Sequence, residues 1–136
     1  MIILSLGSSL SSNFGNRFET LDVATNMLSS HKYVILKKSS FYETPSYPDQ
    51  NNPKFINIVI SIKSDLKTDL DYLVYTIFFI EKKIGRKRNK KNEPRSIDID
   101  IIDYNNQVSE VRTKDLKVIK IPHKKMISTY CYFLIF

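Results

Sequence analysis

Between Phe55 and Lys63, isoleucine occupies every second position: Ile56, Ile58, Ile60 and Ile62. Side chains of a strand alternate between its two faces, so this segment reads as a strand with one wholly aliphatic side. Phe55, Asn57, Val59 and Ser61 fall on the other side. A ring and an amide opposite an aliphatic row predict a sheet that packs helices on one face and leaves the second partly open. The same period recurs in Ser96–Asp103, where Ile97, Ile99 and Ile101 alternate with Asp98 and Asp100. Two carboxylates spaced by two on a strand share a face, roughly 7 Å apart at the backbone. Like charges repel and aspartate is a poor strand former. The pair therefore calls for a cation, and hard carboxylate oxygens suit Mg²⁺ shared with substrate phosphates. The competing reading is a charged edge strand that discourages pairing.

The remaining elements follow from local pattern. Met1–Leu6 reads as a first strand; it lacks the basic start of a leader peptide. Asn16, with Glu19 three positions on, predicts a capped helix whose apolar face is Phe18, Leu21, Ala24 and Leu28. Tyr33–Tyr42 reads as one strand. Pro45, Pro48 and Pro53 then force a loop. A second helix is expected from Thr68 as N-cap, with Asp71 at the capping-box position. Its stripe is Leu70, Leu73, Val74, Ile77, Ile80 and Ile84, and Gly85 ends it. Glu81 falls inside that stripe, where a carboxylate needs a partner: an ion pair at the helix end, or a ligand. Val118–Ile121 is a last short strand, ended by Pro122-His123. Strand, helix, strand, strand, helix, strand is the order of a ferredoxin-like α+β fold, βαββαβ, with helices on one face of an antiparallel sheet. The 136 residues suit a single domain, 1–136.

Composition narrows the chemistry. The chain has three glycines and neither a Walker-type nor a Rossmann-type glycine loop, so side chains or metals must hold any phosphate. The net charge of +7 suits an anionic partner. Lys82, Lys83, Arg86, Lys87, Arg88, Lys90 and Lys91 place seven of the 21 cations within ten residues. That run is either a solvated loop or a phosphate-binding one. Arginines hold phosphate oxygens bidentately, so Arg86 and Arg88 suit a mobile loop that closes over a nucleotide. Arg95, three residues before Asp98, puts a positive group beside the aspartates. His123 is either a phosphate donor or an ordinary strand-end residue. One cysteine, Cys131, excludes an intrachain disulfide and fits a reducing cytoplasm. No apolar run reaches the roughly 20 residues of a membrane span. Tyr130–Phe136 is apolar and reads as a buried strand or a shortened tail.

Thr44-Pro45, Phe55-x-Asn57, Glu81-x-x-x-Gly85-Arg86-x-Arg88, Pro94-Arg95-x-x-Asp98-x-Asp100 and Pro122-His123 resemble, in order and spacing, the 6-hydroxymethyl-7,8-dihydropterin pyrophosphokinase family. Leu6-Gly7-Ser8-Ser9-Leu10 and Ser40-Phe41-Tyr42 are similar to it as well. The resemblance implies transfer of pyrophosphate from ATP to a reduced hydroxymethylpterin in folate biosynthesis, with release of AMP. It implies two Mg²⁺ ions on Asp98 and Asp100, and a pterin slot of Thr44, Pro45, Tyr47, Phe55 and Asn57. ATP contacts would come from Glu81, Arg86, Arg95 and His123, and the catalytic arginines would be Arg86, Arg88 and Arg95. A monomer that needs neither membrane nor nucleic acid is expected. The chain departs from the family at Ser9, where asparagine is usual, and at Thr129 and Cys131, where arginine and phenylalanine are usual. It also has no tryptophan in the basic loop, and Asn92 lies near that place. Two alternatives stand beside this reading. One is a weakened or inactive relative. The other is a single-stranded RNA-binding module, against which stand the missing RNP1 pattern and the two aspartates.

Overall fold

The computed structural model describes residues 1–64, 67, 69–87, 90–114 and 117–123. In chain order it contains β1 (Ile2–Ser8), α1 (Arg17–Ser30), β2 (Tyr33–Lys38), β3 (Tyr42–Thr44), β4 (Phe55–Ser64), α2 (Leu70–Ile84), β5 (Asp98–Tyr104), β6 (Ser109–Arg112) and β7 (Val118–Ile121). This is an α+β arrangement. The main sheet has the order β2-β4-β1-β5, with β3 also on β4, and every pairing is antiparallel. Ile56, Ile58, Ile60 and Ile62 of β4 lie in the core with Leu4 and Leu6 of β1 and Ile99 and Ile101 of β5. Leu21, Ala24 and Leu28 of α1 and Leu73, Val74, Ile77, Ile80 and Ile84 of α2 cover that face. The other face holds a small separate cluster of Ile3, Val59 and Ile102, with Tyr42 packed against it.

Asn16 caps α1 as expected: its side chain accepts from the Glu19 N–H, and Glu19 reaches back to the Asn16 N–H. Phe18 departs from the expectation. It is exposed and meets Phe41 edge-on, with ring centroids 5.1 Å apart.

The expected Tyr33–Tyr42 strand is divided in two. The register on β4 slips between Ile35 and Lys37, which leaves Leu36 unpaired. Beyond Lys38, Ser39 takes over the bonding to Val59: its N–H donates to the Val59 carbonyl, and its Oγ accepts from the Val59 N–H. Helix α2 starts one residue later than expected. Asp69 is the N-cap, its carboxylate accepting from the Tyr72 N–H at 2.9 Å. Thr68, Arg88, Thr129, Cys131 and the segment Tyr130–Phe136 lie outside the described residues. Gly85 closes α2 in the left-handed conformation with φ 99°, where glycine carries no steric penalty.

The expected strand at Ser96 begins at Asp98. The last strand, β7, stays out of the main sheet. It pairs with β6 in a two-stranded sheet of its own, and β6 has no counterpart in the sequence-based reading.

Candidate functional site

The site forms where the C-terminal end of β1 meets the N-terminal ends of β4 and β5. Gly7 lies opposite Asn57 on one neighbour and Asp98 on the other, and Tyr42 continues the row across Asn57. Ser5 similarly joins Val59 and Asp100. The pleat therefore brings Asn57, Asp98 and Asp100 onto the face turned away from the helices. Gly7 is required here. A Cβ on it would stand 2.9 Å from Asn57 Oδ1 and 3.2 Å from a Phe55 ring carbon. The missing side chain leaves room for the amide and the ring. Asn57 is oriented by Thr44, whose Oγ1 accepts from Nδ2 at 2.9 Å.

Asp98 is held by two guanidinium groups. Arg86 Nη1 donates to Oδ1 at 2.8 Å and Arg95 Nη2 to Oδ2 at 2.5 Å. Arg86 Nη1 also bonds Glu81 Oε1 at 2.6 Å. Glu81 is 2% exposed, and its Oε1 accepts the Ile99 N–H at 3.0 Å as well. Of the two sequence readings of Glu81, the ion pair at the helix end is the one present, and it lies beside Asp98. Burial would raise the Asp98 pKa, but the charges and hydrogen bonds of Arg95 and Arg86 outweigh it and hold the carboxyl below its ordinary range.

Asp100 behaves in the opposite way. Burial first, then repulsion from Asp98 and Glu81, pushes it up to about 7 against the pull of Arg95 and Arg86. Its side chain is nevertheless 34% exposed, and His123 Nε2 lies 3.5 Å from Oδ1. A carboxyl raised first by burial and then by neighbouring like charges is one that a cation would relieve. Among the described residues no group of three or more His, Cys, Asp or Glu could hold a metal ion. The aspartate pair fits an ion that takes one or two carboxylates and completes its shell with phosphate and water, as Mg²⁺ does.

Two cavities flank the pair. One, of about 580 Å³, has an apolar floor that includes Ile77, Phe78, Ile101 and Ile119, with Glu81, Arg86, Asp98, Asp100 and His123 at its polar end. The other, of about 590 Å³, is lined by Arg86, Lys87, Lys90, Lys91, Arg95 and Lys117, and shares Asp98, Asp100 and His123 with the first. The lysines of this second wall were not among the expected site residues. The charge run had marked their segment, but only the fold brings Lys117 across to it.

Most of the expected residues converge. Thr44, Phe55 and Asn57 stand together, as do Glu81, Arg86, Arg95, Asp98, Asp100 and His123. Tyr47 is 73% exposed, and Pro45 is exposed beside it. Arg95 and Phe55, expected to serve different ligands, are in contact: the guanidinium carbon lies 5.0 Å from the ring centroid. The open face carries the carboxylates of Asp98 and Asp100 and a small buried aliphatic cluster.

Comparison with known proteins identifies the family. The sequence profile of the family described as 7,8-dihydro-6-hydroxymethylpterin-pyrophosphokinase matches residues 3–134. A 2-amino-4-hydroxy-6-hydroxymethyldihydropteridine pyrophosphokinase of Aquifex aeolicus is 36% identical over 114 residues, covering 84% of this chain and 66% of that protein. The proteins of the same name from Porphyromonas gingivalis and Bacillus subtilis are 31% and 34% identical, covering 93% and 86% of this chain. The chain spans 81% of the Porphyromonas protein and 66% of the Bacillus one. It spans 15% of the folic acid synthesis protein fol1 of Pneumocystis carinii, to which it is 30% identical. On the profile match and these identities, the chain belongs to the 7,8-dihydro-6-hydroxymethylpterin-pyrophosphokinase family.

Proposed function

We propose that the chain is a Mg²⁺-dependent pyrophosphokinase of folate biosynthesis. It moves the pyrophosphoryl group of ATP onto the hydroxymethyl oxygen of 6-hydroxymethyl-7,8-dihydropterin and releases AMP. The observation that carries this reading is the aspartate pair with an apolar-floored cavity on one side and a cation-lined cavity on the other. The first suits the adenosine part of a nucleotide, the second its phosphates, and Asp98 and Asp100 lie between them. The strand order β2-β4-β1-β5 supports a ferredoxin-like topology, with β3 as a detached end of the second strand and β6–β7 as an addition.

In this reading the pterin stacks on Phe55, and the Asn57 amide, fixed by Thr44, reads the polar edge of the heterocycle. Pro45 and Tyr47 close the slot from the loop. Glu81 holds Arg86 against Asp98. When a nucleotide arrives, Arg86 and Arg95 transfer from Asp98 to phosphate oxygens, with His123 adding a donor. Arg88, outside the described residues, would close with them. Asp98 and Asp100 are the residues that would hold Mg²⁺, two ions by the resemblance. Held there, Mg²⁺ would supply neutralisation of the phosphate charge. The substrate hydroxyl oxygen bonds the β-phosphorus, the bond from that phosphorus to the α-phosphate oxygen breaks, AMP leaves with the electron pair, and the hydroxyl proton passes to solvent. The residues of the chain align the two reactants and stabilise charge, which is most of what phosphoryl transfer needs.

No described helix is long and apolar enough to cross a membrane. A cytoplasmic monomer working on small molecules is the setting that this reading carries. The test is an assay containing ATP, the reduced pterin alcohol and Mg²⁺. AMP should form only when all three are present. ADP as the product, or AMP formed without the pterin, would remove the proposal.

A further inference from the structure

Arg95 stands at the centre of the site, yet its side chain does not fix itself. Nη2 bonds Asp98, Nη1 donates to the Glu93 carbonyl at 2.9 Å, and Nε is buried with no hydrogen-bond partner. A buried guanidinium nitrogen without an acceptor is costly. Its conformation is therefore imposed from elsewhere, and the backbone of Arg95 indicates from where. The Arg95 N–H donates to Ser9 Oγ at 2.9 Å. The Arg95 carbonyl accepts from Ser9 N–H at 2.9 Å, from Leu10 N–H at 3.2 Å and from Ser9 Oγ at 3.2 Å. Ser9 is 3% exposed and follows directly on β1. One hydroxyl thus serves as acceptor and donor to both polar groups of a single residue, 86 positions away in sequence.

The geometry points to Ser9 as a positioning residue for the reaction. It clamps the peptide of Arg95 to the end of β1, so that the guanidinium is delivered to Asp98 and the face of Phe55. This rests on the proposed function, in which Arg95 moves to the phosphates. The clamp acts through Arg95 and touches no substrate. It explains how the backbone of Arg95, next to Pro94, is held in place: the anchoring comes from the end of β1, an element of the core. An asparagine at this position offers the same pair of functions in two atoms, Oδ1 to accept and Nδ2 to donate.

The test compares Ser9→Ala, Ser9→Asn and Ser9→Cys. Ser9→Ala should lower kcat about 10-fold with KM for ATP within about 2-fold, since a misplaced group costs rate more than binding. Ser9→Asn should restore kcat. Ser9→Cys keeps roughly the volume but bonds weakly, and should resemble Ser9→Ala; it stands in if the alanine variant does not fold. Exchange of the Arg95 amide hydrogen, read by NMR in the ligand-free protein, should be slow in the wild type and in Ser9→Asn and fast in the other two. An unchanged kcat in folded Ser9→Ala or Ser9→Cys overturns the inference. So does a loss that follows the melting temperature and is not restored by asparagine. If the wild type transfers no pyrophosphate, the proposed function fails, and the Arg95 exchange rates alone decide whether Ser9 is the clamp.

Discussion

Gly7 carries its weight by having no side chain. Gly7→Ala would drive a methyl against Asn57 Oδ1 and the Phe55 ring, at 2.9 and 3.2 Å. The expected result is a loss of about 1–3 kcal/mol from overpacking, seen in urea denaturation. In the proposed function, KM for the pterin should rise about 10-fold with KM for ATP nearly unchanged, since the shifted Asn57 amide would miss the polar edge of the heterocycle. Asp100 gives a prediction with a definite sign. Its carboxyl, at about 7 when folded against a model value of 3.8, holds a proton that the unfolded chain has already lost. The folded state binds more protons in that window, so the contribution of Asp100 to stability is complete below about pH 4 and disappears as pH rises through about 7. Asp98, with its lowered pKa, works the other way: its contribution is present above about pH 4 and is lost as pH falls through its folded value. In metal-free buffer, the melting temperature of the wild type relative to Asp100→Asn should fall between pH 4 and 7. A constant difference across that range would contradict the assignment. The aspartates were legible in the sequence because the two-residue period of a strand places both on one face. The stacking of Arg95 on Phe55 was not, because it depends on where two distant segments meet.

At the scale of elements, α2 is tied to β5 through Glu81. Its Oε1 satisfies both Arg86 and the Ile99 N–H. Glu81→Ala should cost about 3–5 kcal/mol, because it leaves a buried guanidinium and a backbone donor without their shared partner. Glu81→Gln keeps an acceptor for Ile99 and should cost about 1–3 kcal/mol. Equal losses in chemical denaturation would mean that the Ile99 bond is immaterial. Asp69→Ala, at the start of the same helix, should lower stability by about 1 kcal/mol and leave kcat unaltered. The helices were readable to within a residue or two because caps and apolar periodicity are local signals. The cap moved from Thr68 to Asp69 because two adjacent residues both suit the position. β6 escaped notice because four residues, Ser-Glu-Val-Arg, carry too little pattern. The break between β2 and β3 came from pairing with β4, which local propensity does not record.

For the whole molecule, the net charge of +7 and the lysine-rich second cavity should draw polyphosphates in from solution. Raising salt from about 0.05 to about 0.5 M should slow ATP association several-fold and leave the rate of the chemical step little changed. Stopped-flow binding separates the two. The order of the sheet has a further effect. Among the described residues β5 ends one side and has the β6–β7 pair near it, whereas β2 ends the other. Along β2, Val34 and Leu36 are exposed, and Lys37 and Lys38 stand beside them at a point where the register slips. Among the described residues no strand pairs with the outer edge of β2; such a border invites another chain to add on, and positive charge with an irregular backbone is what discourages it. Replacing Lys37 and Lys38 by valine should therefore make the protein cloud and precipitate on standing at concentrations where the unsubstituted chain stays clear, as light scattering would show. On that outcome the two lysines would set shelf life and colloidal behaviour, a property separate from catalysis and seated at the far border of the same sheet.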